Sequence, residues 1–218
     1  MKLLLVSDVE CPALWEHYQP DRLRGIDMIV SAGDLKKDYL EFLVTMSSKP
    51  VLYIPGNHDT RYLQFPPEGC ECIDDTVLTI GGLRFLGLGG CKKYSEGPYQ
   101  YTEAEMEKRI RKVRGQIRKA GGVDIVVTHA AVTGHGDADD YAHRGFDCFV
   151  DLIREYHPKY FIHGHVHQNY AWNNPRMHTL EDTTIINAFE RYTLEIPDAE
   201  IEAMKAEKGT KKHGFWPF

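Results

Sequence analysis

Eight residues able to hold a metal ion or move a proton occupy matching places in the chain: Asp8, Glu10, Asp34, Asn57, His58, His129, His165 and His167. Each follows a short apolar run of β type. Residues 2–6 lead into Ser7-Asp8-Val9-Glu10, 27–32 into Gly33-Asp34, and 51–54 into Gly56-Asn57-His58-Asp59. Further on, 123–127 lead into Thr128-His129 and 160–162 into His163-Gly164-His165-Val166-His167. In open α/β sheets the ends of parallel strands converge on one crevice, so residues far apart in sequence can meet there. Carboxylate and amide oxygens combined with imidazole nitrogens form a donor set for divalent transition metals such as Mn, Fe, Co, Ni or Zn. Two ions are compatible with such a set, because one carboxylate can bridge a pair about 3.5 to 4 Å apart.

The elements that must position these residues can be read from periodicity. Thr102 and Glu105 have the spacing of a capping box, and Met106, Ile110, Val113 and Ile117 then recur at helical intervals up to Gly121-Gly122. Residues 146–156 form a second predicted helix, with Phe149, Leu152, Ile153 and Tyr156 on one side and Pro158 as terminator. A third is predicted over 35–47. The runs 77–80 and 83–88 flank Gly81-Gly82, the signature of a two-residue hairpin turn. Late runs at 184–186 and 192–196 read as closing strands. Strands alternating with helices and followed by hairpin strands predict a mixed α/β protein with more than one sheet.

The blocks Asp8-Val9-Glu10, Gly33-Asp34, Gly56-Asn57-His58-Asp59, His129 and Gly164-His165-Val166-His167 run in the order D-x-H, G-D, G-N-H-D/E, H, G-H-x-H. In this the chain resembles the calcineurin-like metallophosphoesterases, over residues 8–167. The resemblance implies an α/β four-layer sandwich: two mixed β-sheets packed face to face with helices on the outer faces, and a dinuclear site at one edge. It implies that Asp8 and His167 bind one ion, that Asp34 bridges, and that Asn57, His129 and His165 bind the other. His58 would face the substrate phosphate as a catalytic residue, protonating or stabilising the leaving group, with Asp59 orienting its imidazole and raising its pKa. The implied reaction is hydrolysis of a phosphomonoester or phosphodiester by attack of a metal-bound hydroxide.

One block departs from the pattern, since Glu10 stands where the family has histidine. As a ligand it would make the first site harder and more anionic, favouring Mn²⁺, with Fe²⁺, Mg²⁺ or Zn²⁺ as other occupants. The polar loop 135–145 supplies two further candidates, His143 and Arg144. Arg144 offers a bidentate donor for a substrate phosphate and His143 a second cation or acid. The other reading of the same loop is a solvated one, with Arg144 paired to its acidic cluster.

Composition narrows the rest. The 218 residues carry a formal charge of −6, which argues against a broad electrostatic grip on nucleic acid or an anionic membrane. The apolar run 3–6 is far too short for a signal sequence or a membrane span. Five cysteines, Cys11, Cys70, Cys72, Cys91 and Cys148, lack C-x-x-C spacing and read as thiols, consistent with a cytoplasmic protein. Length favours one domain, taken as 1–196, followed by a C-terminal tail over 197–218 whose Phe215, Trp216 and Phe218 could fold back or self-associate. Lys108, Arg109, Arg111, Lys112, Arg114, Arg118 and Lys119 read as a solvated helix face. Gly87, Gly89 and Gly90 read as points of close backbone approach, not as a dinucleotide fingerprint. His163 reads as a satisfied core histidine, and His17, His157, His178 and His213 as surface residues. A TIM-barrel metallohydrolase is disfavoured because H-x-H comes late in a chain of this length. A non-catalytic interaction module on the metallophosphoesterase fold is the alternative function; Glu10 favours it and His58 argues against it. The expected partner is a small phosphate ester.

Overall fold

A computed structural model describes residues 1–168 and 175–206. The strands are β1 (Lys2–Ser7), β2 (Met28–Ser31), β3 (Val51–Tyr53), β4 (Glu71–Cys72), β5 (Thr76–Ile80), β6 (Leu83–Leu88) and β7 (Cys91–Lys92). They continue with β8 (Gln100–Tyr101), β9 (Ile125–Thr128), β10 (Tyr160–His163), β11 (Met177–Leu180), β12 (Thr183–Asn187) and β13 (Glu190–Glu195). The helices are α1 (Lys37–Ser47), α2 (Glu103–Ala120), α3 (Asp147–Tyr156) and α4 (Asp198–Ala206). No helix among the described residues is long and apolar enough to cross a membrane.

Two mixed sheets result. The first has the order β13-β1-β2-β3-β4, with β13 antiparallel to β1 and the rest parallel. The second has the order β11-β12-β10-β9-β6-β5, parallel in the middle and antiparallel at both edges. The central strands are apolar throughout because both of their faces are buried. Leu3 and Leu5 of β1 point into one core with Phe85, Ile125 and Ile162 of the other sheet. Leu4 and Val6 point the opposite way, onto Tyr39, Leu40 and Leu43 of α1. On the far side, Leu86, Val126 and Phe161 meet Met106, Ile110 and Phe149 of α2 and α3. Alternation along each strand therefore sorts the side chains into three apolar layers, which gives helix, sheet, sheet, helix.

Local signals act as their chemistry requires. The Glu105 amide donates to Thr102 Oγ1 at 3.3 Å and the Thr102 amide to Glu105 Oε2 at 2.8 Å, closing the capping box of α2. Gly81 and Gly82 have φ of 59° and 87°, the positive values of a tight hairpin turn that other residues rarely adopt. A Cβ on Gly89 would stand 2.5 Å from the Pro55 carbonyl oxygen, so close backbone approach explains this glycine. Helix α1 begins at Lys37, two residues later than its sequence pattern suggests, because Lys36 is extended.

Two expectations, those for His178 and Arg109, are corrected. Within the tail 197–218, α4 packs on the body and buries Ile201 and Met204 in the core between the sheets. The remainder of the expected tail, with His213, Phe215, Trp216 and Phe218, lies outside the described residues. His178 is half-buried, not a surface residue. Arg109 is buried, unlike its basic neighbours on α2. Its guanidinium donates to Asp75 Oδ1 at 2.8 Å, Asp74 Oδ1 at 2.6 Å and the Gly89 carbonyl at 2.6 Å, and lies 4.3 Å over the Tyr101 ring. Removing one member of such a pair strands the other, which costs about 3 kcal/mol when both are buried. Arg109→Ala is therefore expected to lower the unfolding free energy by about 2 to 4 kcal/mol in urea titration, whereas Lys108→Ala stays within about 0.5 kcal/mol. Equal effects of the two substitutions would refute this account of Arg109.

Candidate metal centre

Parallel strands of both sheets deliver the expected residues to one edge. Ser7 ends β1, and the chain turns at Asp8 with φ of 67°. β2 delivers Asp34 with φ of 58°, and β10 delivers His165 with φ of 66°. Left-handed backbone is uncommon for residues other than glycine and clusters at functional sites. Glycines let these turns come together. A Cβ on Gly33 would stand 2.5 Å from the Gly56 nitrogen, one on Gly56 would overlap the Asp34 carboxyl, and one on Gly164 would overlap Ser7 Oγ.

Asp34 lies at the centre. Its Oδ1 accepts the His58 amide at 2.8 Å, and its Oδ2 lies 3.2 Å from His129 Nε2. Ligand atoms of Asp34, His129 and His165 all fall within 4.8 Å of one another, close enough to share one ion. The Asn57 Oδ1 lies 3.0 Å from His129 Nε2, placing a fourth donor beside them. Asp8 lies alongside: its Oδ1 accepts the His165 amide at 2.9 Å, while its buried Oδ2 has no hydrogen-bond partner. His167 Nε2 stands 4.0 Å from Asp8 Oδ1, its ring packed 4.8 Å from that of Phe189. A buried carboxylate oxygen without a donor costs free energy, and a cation at that position would satisfy it.

Second partners fix which nitrogens are free. His129 Nδ1 lies 2.8 Å from the Ala32 carbonyl, which can only accept, so Nδ1 carries a proton and Nε2 faces Asp34 and Asn57. His165 Nε2 likewise gives its proton to the Ala142 carbonyl at 2.8 Å and leaves Nδ1 as the lone-pair nitrogen.

Burial alone would raise the Asp34 pKa, but attraction to His129 and hydrogen bonds from His129 and the His58 amide bring it down to about 2. Burial also opposes the His129 imidazolium, yet the Asp34 carboxylate outweighs it and lifts that pKa to about 9. His165, desolvated and repelled by His129, falls to about 3. Burial raises the Asp8 carboxyl. The site concentrates carboxylates around its imidazoles; a divalent ion bound there would replace the proton that Asp34 draws onto His129 Nε2, because a ligating imidazole must be neutral.

Some candidates are placed otherwise. Glu10 is not among the clustered donors: its carboxylate accepts the Lys36 amide at 3.0 Å and the Lys36 ammonium at 3.3 Å. Asp59 does not back the His58 ring. Its Oδ2 accepts the Asp34 amide at 2.7 Å and the Gly56 amide at 2.8 Å, pinning the β2 and β3 loops together, and burial pushes its pKa up to about 7. The buried amides claim the carboxylate, while the His58 imidazole points outward with Nε2 4.0 Å from Asp34 Oδ2. The His143 ring lies 4.9 Å from that of His165 and 2.8 Å, through Nδ1, from Asp140 Oδ1. Arg144 is exposed and forms no ion pair among the described residues. The acidic residues of its loop bind backbone amides instead, Asp137 those of Gly134 and Gly145 and Asp140 those of Ala142 and His143. His163 is buried as expected but not satisfied, since its Nε2 lacks a partner. Sequence reasoning missed Tyr94, whose hydroxyl accepts from Asn57 Nδ2 at 3.0 Å, and the Ala142 carbonyl. Tyr94 lies near no motif, although it follows the glycine-rich end of β6, and Ala142 lies in the loop 135–145 but acts through its backbone, which residue type does not signal.

The sequence profile of the calcineurin-like phosphoesterases matches residues 1–169. The chain belongs to that family. It is 24% identical over 163 residues to the 3′,5′-cyclic adenosine monophosphate phosphodiesterase CpdA of Haemophilus influenzae, an alignment covering 67% of this chain and 57% of the relative. The chain thus spans little more than half the length of that relative. One solved crystal structure superposes with a TM-score of 0.64 at 13% identity, covering 88% of this chain and 94% of its own. A Thermus thermophilus protein superposes with a TM-score of 0.56, also at 13% identity, over 87% of this chain and 89% of its own. At such identity these structures bear on the fold alone, and they share the layered architecture described above.

Because Gly56 abuts the Asp34 carboxyl, Gly56→Ala should displace that carboxylate and weaken metal binding without unfolding the protein. Wild-type protein at a divalent-ion concentration about a hundredfold above Kd should gain about 2.7 kcal/mol of stability. The variant should gain little in the same thermal melts, and an undiminished gain would contradict the placement of Asp34.

Proposed function

We propose that this protein is a metal-dependent phosphoesterase that hydrolyses a small phosphate ester at a dinuclear centre. The observation that carries this reading is the pair of turned carboxylates at adjacent strand ends, with Asp8 Oδ2 buried and unpaired beside the Asp34, His129 and His165 donors. Asp8 and His167 would hold one ion, Asn57, His129 and His165 the other, with Asp34 between them. With Glu10 turned to Lys36, three oxygen-bearing residues stand against three imidazoles, a set suited to Mn²⁺ or Fe²⁺ as well as Zn²⁺. Bound divalent ions supply positive charge to the phosphoryl oxygens and acidify a water molecule.

The chain's own residues account for the remainder. Asp34 and Asp8 are held in place by the backbone amides of His58 and His165, which donate to their carboxylates. His58 stands on the open side, 76% exposed, where its imidazole can hold the phosphate or give a proton to the departing oxygen. That placement argues against a non-catalytic module. His143, whose ring is tilted against that of His165 at 4.9 Å, and the neighbouring exposed Arg144 are assigned to the substrate phosphate. The likeness to a cyclic nucleotide phosphodiesterase supports a small phosphodiester as substrate, and the five free thiols support a cytoplasmic setting.

His58→Ala should keep its metal but lower kcat by roughly 10² to 10⁴ on esters with poor leaving groups. The loss should shrink for nitrophenyl esters, whose leaving group needs little protonation; equal losses would assign His58 to phosphate positioning instead. Arg144→Ala should reduce kcat/KM by about 10-fold or more, the loss expected for one charged hydrogen bond to a phosphate. Unchanged steady-state kinetics would remove Arg144 from the site. If Asp34→Asn retained two tightly bound ions by elemental analysis, the placement of Asp34 between the ions would fall, and a wild-type protein that takes up only one ion would overturn the dinuclear reading.

A further inference from the structure

A cleft of about 500 Å³ adjoins the metal centre, lined by Asp34 and His58 of that centre and by Arg61 and Phe65 beyond it in the chain. That volume is within the range of small-molecule sites. One wall is the start of α1. The other is the short 3-10 turn Thr60–Leu63 that follows Asp59. Tyr62 fastens the two walls together: its hydroxyl donates to the Leu35 carbonyl, and its ring packs edge-on against Tyr53 at 5.7 Å. The subsite is therefore built on anchored backbone.

Its charges are mixed. Three cationic side chains line it, Lys36, Lys37 and Arg61. Lys36 is paired with Glu10 at 3.3 Å and Lys37 with Glu41 at 3.0 Å, whereas Arg61 forms no ion pair among the described residues. Four carboxylates, those of Glu10, Asp34, Asp38 and Asp59, share the lining. With Asp34 assigned to the metal centre and Asp59 turned onto the Asp34 and Gly56 amides, Glu10 and Asp38 face Lys36, Lys37 and Arg61, so the rest of the lining is close to balanced in charge. The Phe65 amide donates to the Arg61 carbonyl at 2.9 Å, the i to i+4 relation that sets two side chains on one face of a turn. Arg61 is exposed and Phe65 is 63% exposed, and both line the cleft, so a ring and a guanidinium one turn apart are open to an incoming group. Both stack on flat π systems, and neither gains as much from a puckered ring.

We infer that Arg61 and Phe65 form a leaving-group subsite beside the metal centre that selects a planar aromatic ring system. The inference rests on the phosphoesterase reading for its direction, since His58, assigned to the phosphate, lines the same cleft. Arg61 and Phe65 are specificity-determining residues and take no part in the bond-breaking step.

Calorimetric titration of the manganese-loaded full chain with two phosphonates tests this, because their carbon–phosphorus bond is not an ester. Benzylphosphonate and cyclohexylmethylphosphonate match in size and charge and differ in planarity. Wild-type protein should bind the benzyl compound about three- to tenfold more tightly, the margin that aromatic pairing contributes. Phe65→Ala and Arg61→Ala should each bring that ratio close to one, with folding confirmed by unchanged melting curves. A ratio near one in the wild type, binding of neither compound, or a ratio that survives both substitutions would overturn the inference. A preserved preference for the benzyl compound in a protein that hydrolyses no phosphate ester would instead overturn the phosphoesterase reading and leave the subsite standing.

Discussion

The Asp34 carboxylate meets the His58 amide with one oxygen and His129 with the other, while its own backbone amide is held by Asp59. Burying a carboxylate is costly unless it is paired or fully hydrogen-bonded. Here the compensation comes from separate parts of the chain, so the two sheets must close at this edge before the charge is accommodated. The depression of the Asp34 pKa and the elevation of that of His129 are two readings of one attraction. Every other feature of the site is arranged around it, including the Ala32 carbonyl that orients His129 and the Asn57 oxygen beside its Nε2.

Closure at this density has a backbone cost. Asp8, Asp34 and His165 adopt left-handed φ, each worth on the order of 1 to 3 kcal/mol, and glycines at 33, 56 and 164 clear the space their side chains occupy. Apolar burial on both faces of the central strands offsets that strain, because Leu3, Leu5, Ile125 and Ile162 are fully buried directly beneath the turns. Precision at the strand ends thus depends on a core with little freedom to shift.

The loop 135–145 completes the site from outside the sheets. Its acidic residues fold the loop onto its own amides, which presents the Ala142 carbonyl to His165 and the His143 ring to the same imidazole. Loops of this sort carry functional groups because a rigid scaffold can hold them at its surface. The loop leaves Arg144 to solvent, whereas the Asp74 and Asp75 carboxylates engage Arg109 beside the end of β6.

Much was already determined by the sequence. Apolar runs ending in ligand-capable residues, the Thr102 and Glu105 cap, and the Gly81-Gly82 turn are signals within a few residues of one another, and the structure uses each of them. The ordered motifs identified the edge where the site forms and the family to which the chain belongs. Tertiary structure decided the partners. Asp59 binds an amide 25 residues away instead of its neighbouring imidazole, Glu10 reaches Lys36 across 26 residues, and Asp8 accepts from His165 across 157. Arg109 has the sequence environment of a solvated lysine-rich face, yet it is buried because α2 packs over the end of β6. Periodicity and capping depend on backbone geometry, which is local. The pairing of a charged side chain depends on which opposite charge or amide the fold brings within about 3 Å, and that is known only when the sheets have closed.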